Sequence, residues 1–438
     1  MPAAPAPPKS ILVVGAGCFG AATVQSLVDG PYRGHEHLIT VLDRSHLLGT
    51  PASDAASFDY NKILRQDYTD PFYAELAKES LKRWRGPGYN RTYHECGVMM
   101  GSSHSDAESA RYIQGSLAVN SLPGMQAAGL KAYSLDTPAD IKQVYGRAVT
   151  GDFEGNIAYY NQAGGWADSR MAVVDVLSRV RARGVKFASG EAASLLFSAD
   201  KKDVKGVTTK EGNEHRADFV ILASGAWTGA LVPEIAHDLL ATGQTVGTIQ
   251  LSAEEAEEYA TIPITLLLDT GFYCFPPNKD GVFKFAIHDG GWLDPQVQTN
   301  LPSMPRTALT VGCERQQVPE AAKQALLRGL RRVFPKLATK EWLQSRLCWY
   351  TDRASGDWLI DYHPSYPSLF LATGGSGHAF KFFPVLGDLC LAGIERRLTP
   401  QQASYFSFAG DADRIDKSRG ETALVRKVLE PLPIKAKL

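Results

Sequence analysis

The sequence predicts an α/β Rossmann-like domain interleaved with an α+β domain built on a mostly antiparallel sheet. Three observations carry that prediction. A glycine-rich turn joins a buried strand to a helix at the start of the chain. Two more apolar strands, at 219–223 and 369–372, each stop at a small-residue turn. Between them lie alternating strands punctuated by hairpin signals, the pattern of a second sheet.

The opening strand is Ile11-Leu12-Val13-Val14, an unbroken apolar run of the kind buried on both faces. It runs into Gly15-Ala16-Gly17-Cys18-Phe19-Gly20 and then a helical segment from Ala21 to Val28. In this context Gly15 makes the tight turn, Gly17 admits a pyrophosphate, and Gly20 lets helix and strand pack closely. The phosphates sit at the helix N-terminus, where unpaired N–H groups and the helix dipole favour anions. A second strand, Leu38 to Leu42, ends at Asp43, placed to accept hydrogen bonds from adenosine ribose hydroxyls. An acid there points to FAD or NAD rather than a 2′-phosphorylated cofactor.

The 438 residues predict two or three units at roughly 150 residues per domain. A hydrophobic content of 44% against 21% charged residues is enough to bury full cores, which excludes disorder as the dominant state. Lys plus Arg number 46 and Asp plus Glu 47, so the net charge of -1 excludes a charge-driven nucleic-acid binder. The six cysteines are scattered without zinc or redox spacing, and no metal site is expected. No apolar run is long enough to cross a membrane, and residues 1–10 lack a signal peptide's pattern. The tripeptide Ala436-Lys437-Leu438 nearly matches the Ser-Lys-Leu peroxisomal address, so a peroxisomal import receptor is an expected partner. The cytoplasm is the alternative location.

Along the rest of the chain, 59–84 reads as largely helical and 93–100 as a strand. Residues 168–184 read as an amphipathic helix with Met171, Val174, Leu177 and Val180 inward. A β meander spans 193–223. Strands at 244–251, 261–268, 272–276 and 282–288 form the second sheet, with Asn278-Lys279-Asp280-Gly281 as a hairpin turn. Residues 305–334 contain a helical segment, and 384–398 form a helix. The predicted cofactor domain is discontinuous, comprising 10–95, 160–240 and 340–425. The substrate domain comprises 96–159 and 241–339, and 426–438 form a tail.

Three places look chemical. The turn after strand 369–372 carries Gly375, Gly377, His378 and Lys381, the lysine set among Phe380, Phe382 and Phe383. Lys381 either points into a cavity, where it suits a carboxylate, or snorkels to solvent. Lys284 and His288 share one face of a strand by period two, either lining a site or, the first reading from alternation alone, facing solvent. Cys348 alone reads as a core cysteine, with Arg346 near enough to favour its thiolate.

Together these segments resemble the monomeric sarcosine oxidase family of FAD-dependent amine oxidases. That family includes sarcosine, pipecolate and saccharopine oxidases and the fructosyl amino acid oxidases, or amadoriases. The resemblance runs nearly end to end, through Gly15-Ala16-Gly17, Phe58 to Arg65, Gly225-Ala226-Trp227, Lys284, Cys348 and Gly375 to Lys381. It implies FAD attached covalently through Cys348, a Lys284 that assists the reaction with O₂, and a substrate carboxylate held by Arg65 and Lys381. Lys62 matches a basic active-site residue of the relatives. The expected cofactor set is Gly15, Gly17, Cys18, Phe19, Gly20, Asp43, Arg44, Ser57, Lys62, Ala226, Trp227, Cys348, Gly375, Gly377, His378 and Lys381.

The resemblance also implies the reaction: oxidation of a secondary-amine amino acid by O₂ to an imine and H₂O₂. His288 stands where the fructosyl enzymes carry a glutamate and the sarcosine-type enzymes a histidine. Asp289 would face away. The expected substrate is therefore of the pipecolate, sarcosine or saccharopine type. A fructosyl amino acid oxidase is the alternative, and a catalytically silent FAD-binding protein a further one.

Overall fold

The computed structural model describes residues 9–126, 129–310, 313, 318–410, 414 and 425–431; Ala436-Lys437-Leu438 lies outside them. The chain divides into two compact units. The first comprises Met1–Asp59, Ser169–Ala241 and Tyr350–Ile415, the second Tyr60–Asp168, Thr242–Trp349 and Asp416–Leu438. Residues 60–95 thus group with the second unit rather than with the opening strand. The reason is strand pairing: Lys62–Leu64 and Tyr93–Glu95 both pair antiparallel with Gly165–Ala167, closing a three-stranded sheet of their own.

The first unit is built on a six-stranded sheet. Its order is Leu359–His363, Tyr366–Thr373, Phe219–Leu222, Ile11–Val14, Ile39–Asp43 and Lys186–Ser189. All neighbours are parallel except the edge hairpin of the first two. Ile11–Val14 sits at the centre, every residue buried, as its unbroken apolar run predicts. The helices Cys18–Asp29 and Phe383–Ile394 pack against each other. They cross at Gly387, where an added Cβ would stand 2.1 Å from the Ala22 carbonyl oxygen, so only glycine admits this approach. Of the expected meander, Ala192–Phe197 and Val204–Thr209 form a small antiparallel sheet with Glu214–Arg216, whereas Phe219–Leu222 leaves it for the parallel sheet.

The second unit is built on a ten-stranded, mostly antiparallel sheet. Its central strands Leu240–Gln250, Val282–Ile287, Phe272–Cys274 and Ile264–Leu267 follow one another, and Ile264–Leu267 adds to Val98–Ser103 in parallel. The helix Glu320–Val333 buries Leu326, Leu330 and Val333 in one apolar core with Phe272, Phe283 and Phe285.

Several expected boundaries move. The helical reading of 59–84 resolves into the strand Lys62–Leu64 and the helix Pro71–Trp84, whose Asp70 cap accepts from the Phe72 N–H. The helix of 168–184 runs Ser169–Ala182. It turns Ala172, Val173, Val176, Leu177 and Val180 inward, leaving Met171 exposed. The helix expected in 305–334 begins only at Glu320, after Pro319.

Candidate active site

In the first unit the glycines of the opening turn do separate jobs. A Cβ on Gly15 would meet the Ala223 carbonyl oxygen at 2.4 Å, and one on Gly20 would meet the Gly15 oxygen at 1.9 Å. Both are demanded by packing, and Gly15 also holds φ +109°. Gly17 differs: a Cβ there would meet only the Ser57 hydroxyl, at 3.4 Å. Its bareness serves something other than the fold. The Cys18 N–H at the helix start donates to Ser57 Oγ at 2.9 Å, which ties the expected Ser57 to the same turn.

Asp43 is more occupied than its sequence position suggests. Its carboxylate accepts from the backbone N–H groups of Ala16, Ser45 and Ala52 at 2.8, 2.9 and 3.1 Å. Burial still raises its pKa above the ordinary carboxylate value, outweighing those bonds and the nearby Arg44. Arg44 lies 3.8 Å over the Trp227 ring and pairs with Asp54 at 2.5 Å, bringing three predicted positions, Asp43, Arg44 and Trp227, into one neighbourhood. Ala226 is buried beside them in the turn Gly225–Trp227.

The two glycine turns converge. A Cβ on Gly375 would approach the Phe19 ring at 3.2 Å, and Phe19 stands edge-on to Trp358, which in turn neighbours His378. Gly374, Ser376 and Gly377 all have positive φ, so the turn is tightly coiled. The Ser376 N–H donates to Thr351 and its hydroxyl to Gly374. His378 Nε2 donates to the Gly356 carbonyl at 2.8 Å. Lys381 is buried, not snorkelling, and its Nζ donates to the His378 carbonyl at 3.1 Å.

In the second unit the solvent-facing reading of Lys284 is overturned. Every residue of Val282–Ile287 is buried, and Lys284 is 0% exposed. Phe283 and Phe285 pack into the core with the helix Glu320–Val333, and Lys284 and Ala286 on the other face are covered too, which alternation alone does not distinguish from a surface strand. Lys284 Nζ donates to the Asn61 carbonyl at 2.8 Å and lies 5.0 Å from the Phe275 ring centre. The next residue, Lys62, places its Nζ 3.8 Å from Cys348 Sγ. Lys62, which is far from Cys348 in sequence, thus brings a cation to the sulfur. Three predicted residues, Lys62, Lys284 and Cys348, are brought to one backbone position. Sequence reasoning did not single out Asn61 for a role, although it stands between Tyr60 and Lys62. Its side-chain amide is fully buried, and both amide atoms lack a hydrogen-bond partner among the described residues.

His288 is half-buried just beyond that strand, and its N–H donates to the Gly271 carbonyl at 2.8 Å. Asp289 pairs with Lys427, 2.6 Å away. Arg65 is buried in the stretch after Lys62–Leu64. One guanidinium nitrogen donates to the Asp67 carbonyl, and the Tyr68 ring lies 5.0 Å away. That carbonyl is the one hydrogen-bond acceptor Arg65 finds among the described residues, leaving most of its five N–H donors for a ligand.

The first unit fits FAD: Gly17 leaves room at a helix N-terminus for the pyrophosphate. Within the second unit, Asn61 offers a buried, unsatisfied donor and acceptor of the sort a polar ligand would satisfy. Among the described residues no group of three or more His, Cys, Asp or Glu is placed to hold a metal, and no helix is long and apolar enough to cross a membrane.

Comparison with known proteins agrees with this chemistry. Residues 10–392 match the family model described as FAD dependent oxidoreductase. L-saccharopine oxidase of Schizosaccharomyces pombe is 29% identical over 401 residues, covering 86% of this chain and 88% of that protein. Peroxisomal sarcosine oxidase of Mus musculus is 24% identical, covering 89% and 92%. Among solved structures, the deglycating enzyme fructosamine oxidase (Amadoriase II) of Aspergillus fumigatus superposes with a TM-score of 0.82 at 27% identity, covering 94% of this chain and 93% of that one.

Proposed function

The chain belongs to the FAD-dependent oxidoreductase family, in its amine-oxidase branch, and from that premise we propose that it oxidises an amino acid bearing a large polar N-substituent, first of the fructosyl type. The bond attacked is the C–H beside the secondary amine, and O₂ is the electron acceptor. The observation that carries the fructosyl reading is the close superposition on a fructosamine oxidase over nearly the whole of both chains. This reverses the order expected from His288 alone, which placed pipecolate, sarcosine and saccharopine first. Saccharopine is retained as the second reading, because a saccharopine oxidase matches over most of both sequences and its substrate is also a bulky N-substituted amino acid.

FAD, when bound, supplies the two-electron acceptor whose electrons pass on to O₂, giving H₂O₂. The protein's part is to bind, orient and polarise. Arg65 would pair its remaining N–H donors with the substrate carboxylate in a buried setting, where charge-assisted bonds are strong and directional. Lys284, held by the Asn61 carbonyl, provides a fixed cation where negative charge develops on dioxygen. His288 would orient the amine and accept its proton, since only the neutral amine gives up electrons readily. Lys381 keeps the carboxylate-binding role implied by the resemblance. Cys348, whose Sγ lies 3.8 Å from Lys62 Nζ, is proposed to carry FAD covalently.

The test is peroxide formation with fructosyl-valine, fructosyl-lysine, saccharopine, pipecolate and sarcosine. At least tenfold higher kcat/KM for a fructosyl compound is expected, and a preference for saccharopine would select the second reading. Acid-precipitated protein is expected to stay yellow, and Cys348→Ser to release its flavin into the supernatant; a colourless wild-type pellet would refute the covalent link. Likeness to a peroxisomal sarcosine oxidase supports a peroxisomal location. An N-terminally tagged protein that remained diffuse in the cytoplasm would count against it.

A further inference from the structure

The residues that follow the strand Lys62–Leu64 are bound more tightly than a connection needs. Arg65, Gln66 and Asp67 are 8%, 3% and 0% exposed. Gln66 Nε2 donates to Asn120 Oδ1 at 2.9 Å and to the Met125 carbonyl at 2.7 Å. Asp67 Oδ1 accepts from the Tyr159 hydroxyl at 2.7 Å, Asn161 Nδ2 at 2.9 Å and Asn120 Nδ2 at 3.2 Å. The Asp67 carbonyl accepts from Arg65 and from the Tyr112 hydroxyl, the latter at 3.2 Å. Asp67 Oδ2 has no hydrogen-bond partner among the described residues.

A buried guanidinium is costly unless an anion accompanies it. The groups that favour its charge against burial are Tyr112, Tyr68, Asp67 and Tyr159. Phenols are neutral at ordinary pH, and burial raises the Tyr159 hydroxyl further still. Asp67 is the one carboxylate in this group. Its carboxylate is anchored at one oxygen by three donors from the helix Ala107–Asn120 and the strand Asn156–Asn161. Its backbone carbonyl in turn holds the guanidinium.

We propose that Asp67 is the positioning residue for Arg65, with its anchored carboxylate fixing the carbonyl that aims the guanidinium. The inference rests on the reading of Arg65 as the carboxylate-binding group and adds the device that sets its aim. Asp67 touches neither substrate nor cofactor in this scheme. Its effect is expected on recognition of the carboxylate rather than on turnover.

The experiment compares holoenzymes on a carboxylate and its carboxamide: fructosyl-valine with fructosyl-valinamide, or pipecolate with pipecolamide where the substrate panel selects the imino acid. Asp67→Ala is expected to raise KM for the carboxylate at least tenfold, leaving kcat within about threefold and the carboxamide KM within about twofold. Asp67→Asn, which keeps an oxygen for the three donors, is expected to restore most of the discrimination. A folded, flavin-loaded Asp67→Ala enzyme that still discriminates like the wild type would overturn the proposal. Should that variant fail to fold, Tyr159→Phe removes one anchor at nearly constant volume and is expected to raise the carboxylate KM two- to fivefold; an unchanged KM overturns the proposal equally. Arg65→Met separates the two ideas. If it leaves discrimination intact, Arg65 does not bind the carboxylate and both ideas fall. If it abolishes discrimination while Asp67→Ala does not, only the positioning role falls.

Discussion

Glycines of one motif need not share one reason for being glycine. Gly20 is fixed by the Gly15 carbonyl and Gly17 by open space in front of a helix end. Gly20→Ala should therefore destabilise the protein with or without FAD, by about 1–3 kcal/mol or more, because backbone must shift to admit the methyl group. Gly17→Ala should leave the thermal midpoint of flavin-free protein within about 2 °C and weaken FAD binding. Thermal melts with and without FAD check both, and a Gly17→Ala protein that binds FAD normally would remove the reason given for that glycine. The opening motif and its glycines were legible in the sequence because their spacing is local. The Lys62–Cys348 contact was not, because it joins residues 286 positions apart. Nor was the Asp67 network, whose partners come from a helix and a strand that no local period connects to it.

At the scale of elements, buried strands and their turns were readable, and strand exposure was not. The strand Val282–Ile287 alternates Phe with Lys and Ala, yet every position is interior. What packs over its two faces decides that. The edge hairpin Leu359–His363 and Tyr366–Thr373 gives an element-level test. Burial lowers the His363 pKa below the ordinary 6.5, against the opposing pull of Glu234, and the imidazole stacks on Tyr366 at 4.7 Å. Folding favours the neutral ring, so this group's contribution is complete above about pH 6.5 and is lost as pH falls through the folded-state value. Thermal midpoints of wild type should fall between pH 7 and 5 more steeply than those of His363→Gln. Parallel curves would show that His363 does not couple folding to protons.

At the scale of the molecule, two units are each assembled from three separated segments. The alternation of α/β with antiparallel architecture was legible from motif order. The boundary at 59/60 was not, because it depends on Gly165–Ala167 collecting two distant strands. The proposed covalent attachment of FAD would also alter what stability means for the whole chain. A freely dissociating ligand stabilises by mass action, about 2.7 kcal/mol at one hundred times its Kd, whereas a bonded one is always present. Cys348→Ser is expected to make the melting temperature depend on added FAD, where wild type shows no dependence. Equal dependence in both proteins would argue that flavin is held non-covalently.

The central position of Ile11–Val14 has a consequence for synthesis. Its neighbour Phe219–Leu222 pairs on its other edge with Tyr366–Thr373, so the first strand made waits for one of the last before the sheet is complete. At about 5–20 residues per second, that interval is roughly 20–75 seconds on the ribosome. Until residue 222 is made Ile11–Val14 lacks one neighbour, and from then to residue 366 the outer edge of Phe219–Leu222 is unpaired, a state that invites pairing with other chains. Nascent chains stalled short of residue 366 should depend on holding chaperones, and translation speed across this interval should influence the yield of folded protein.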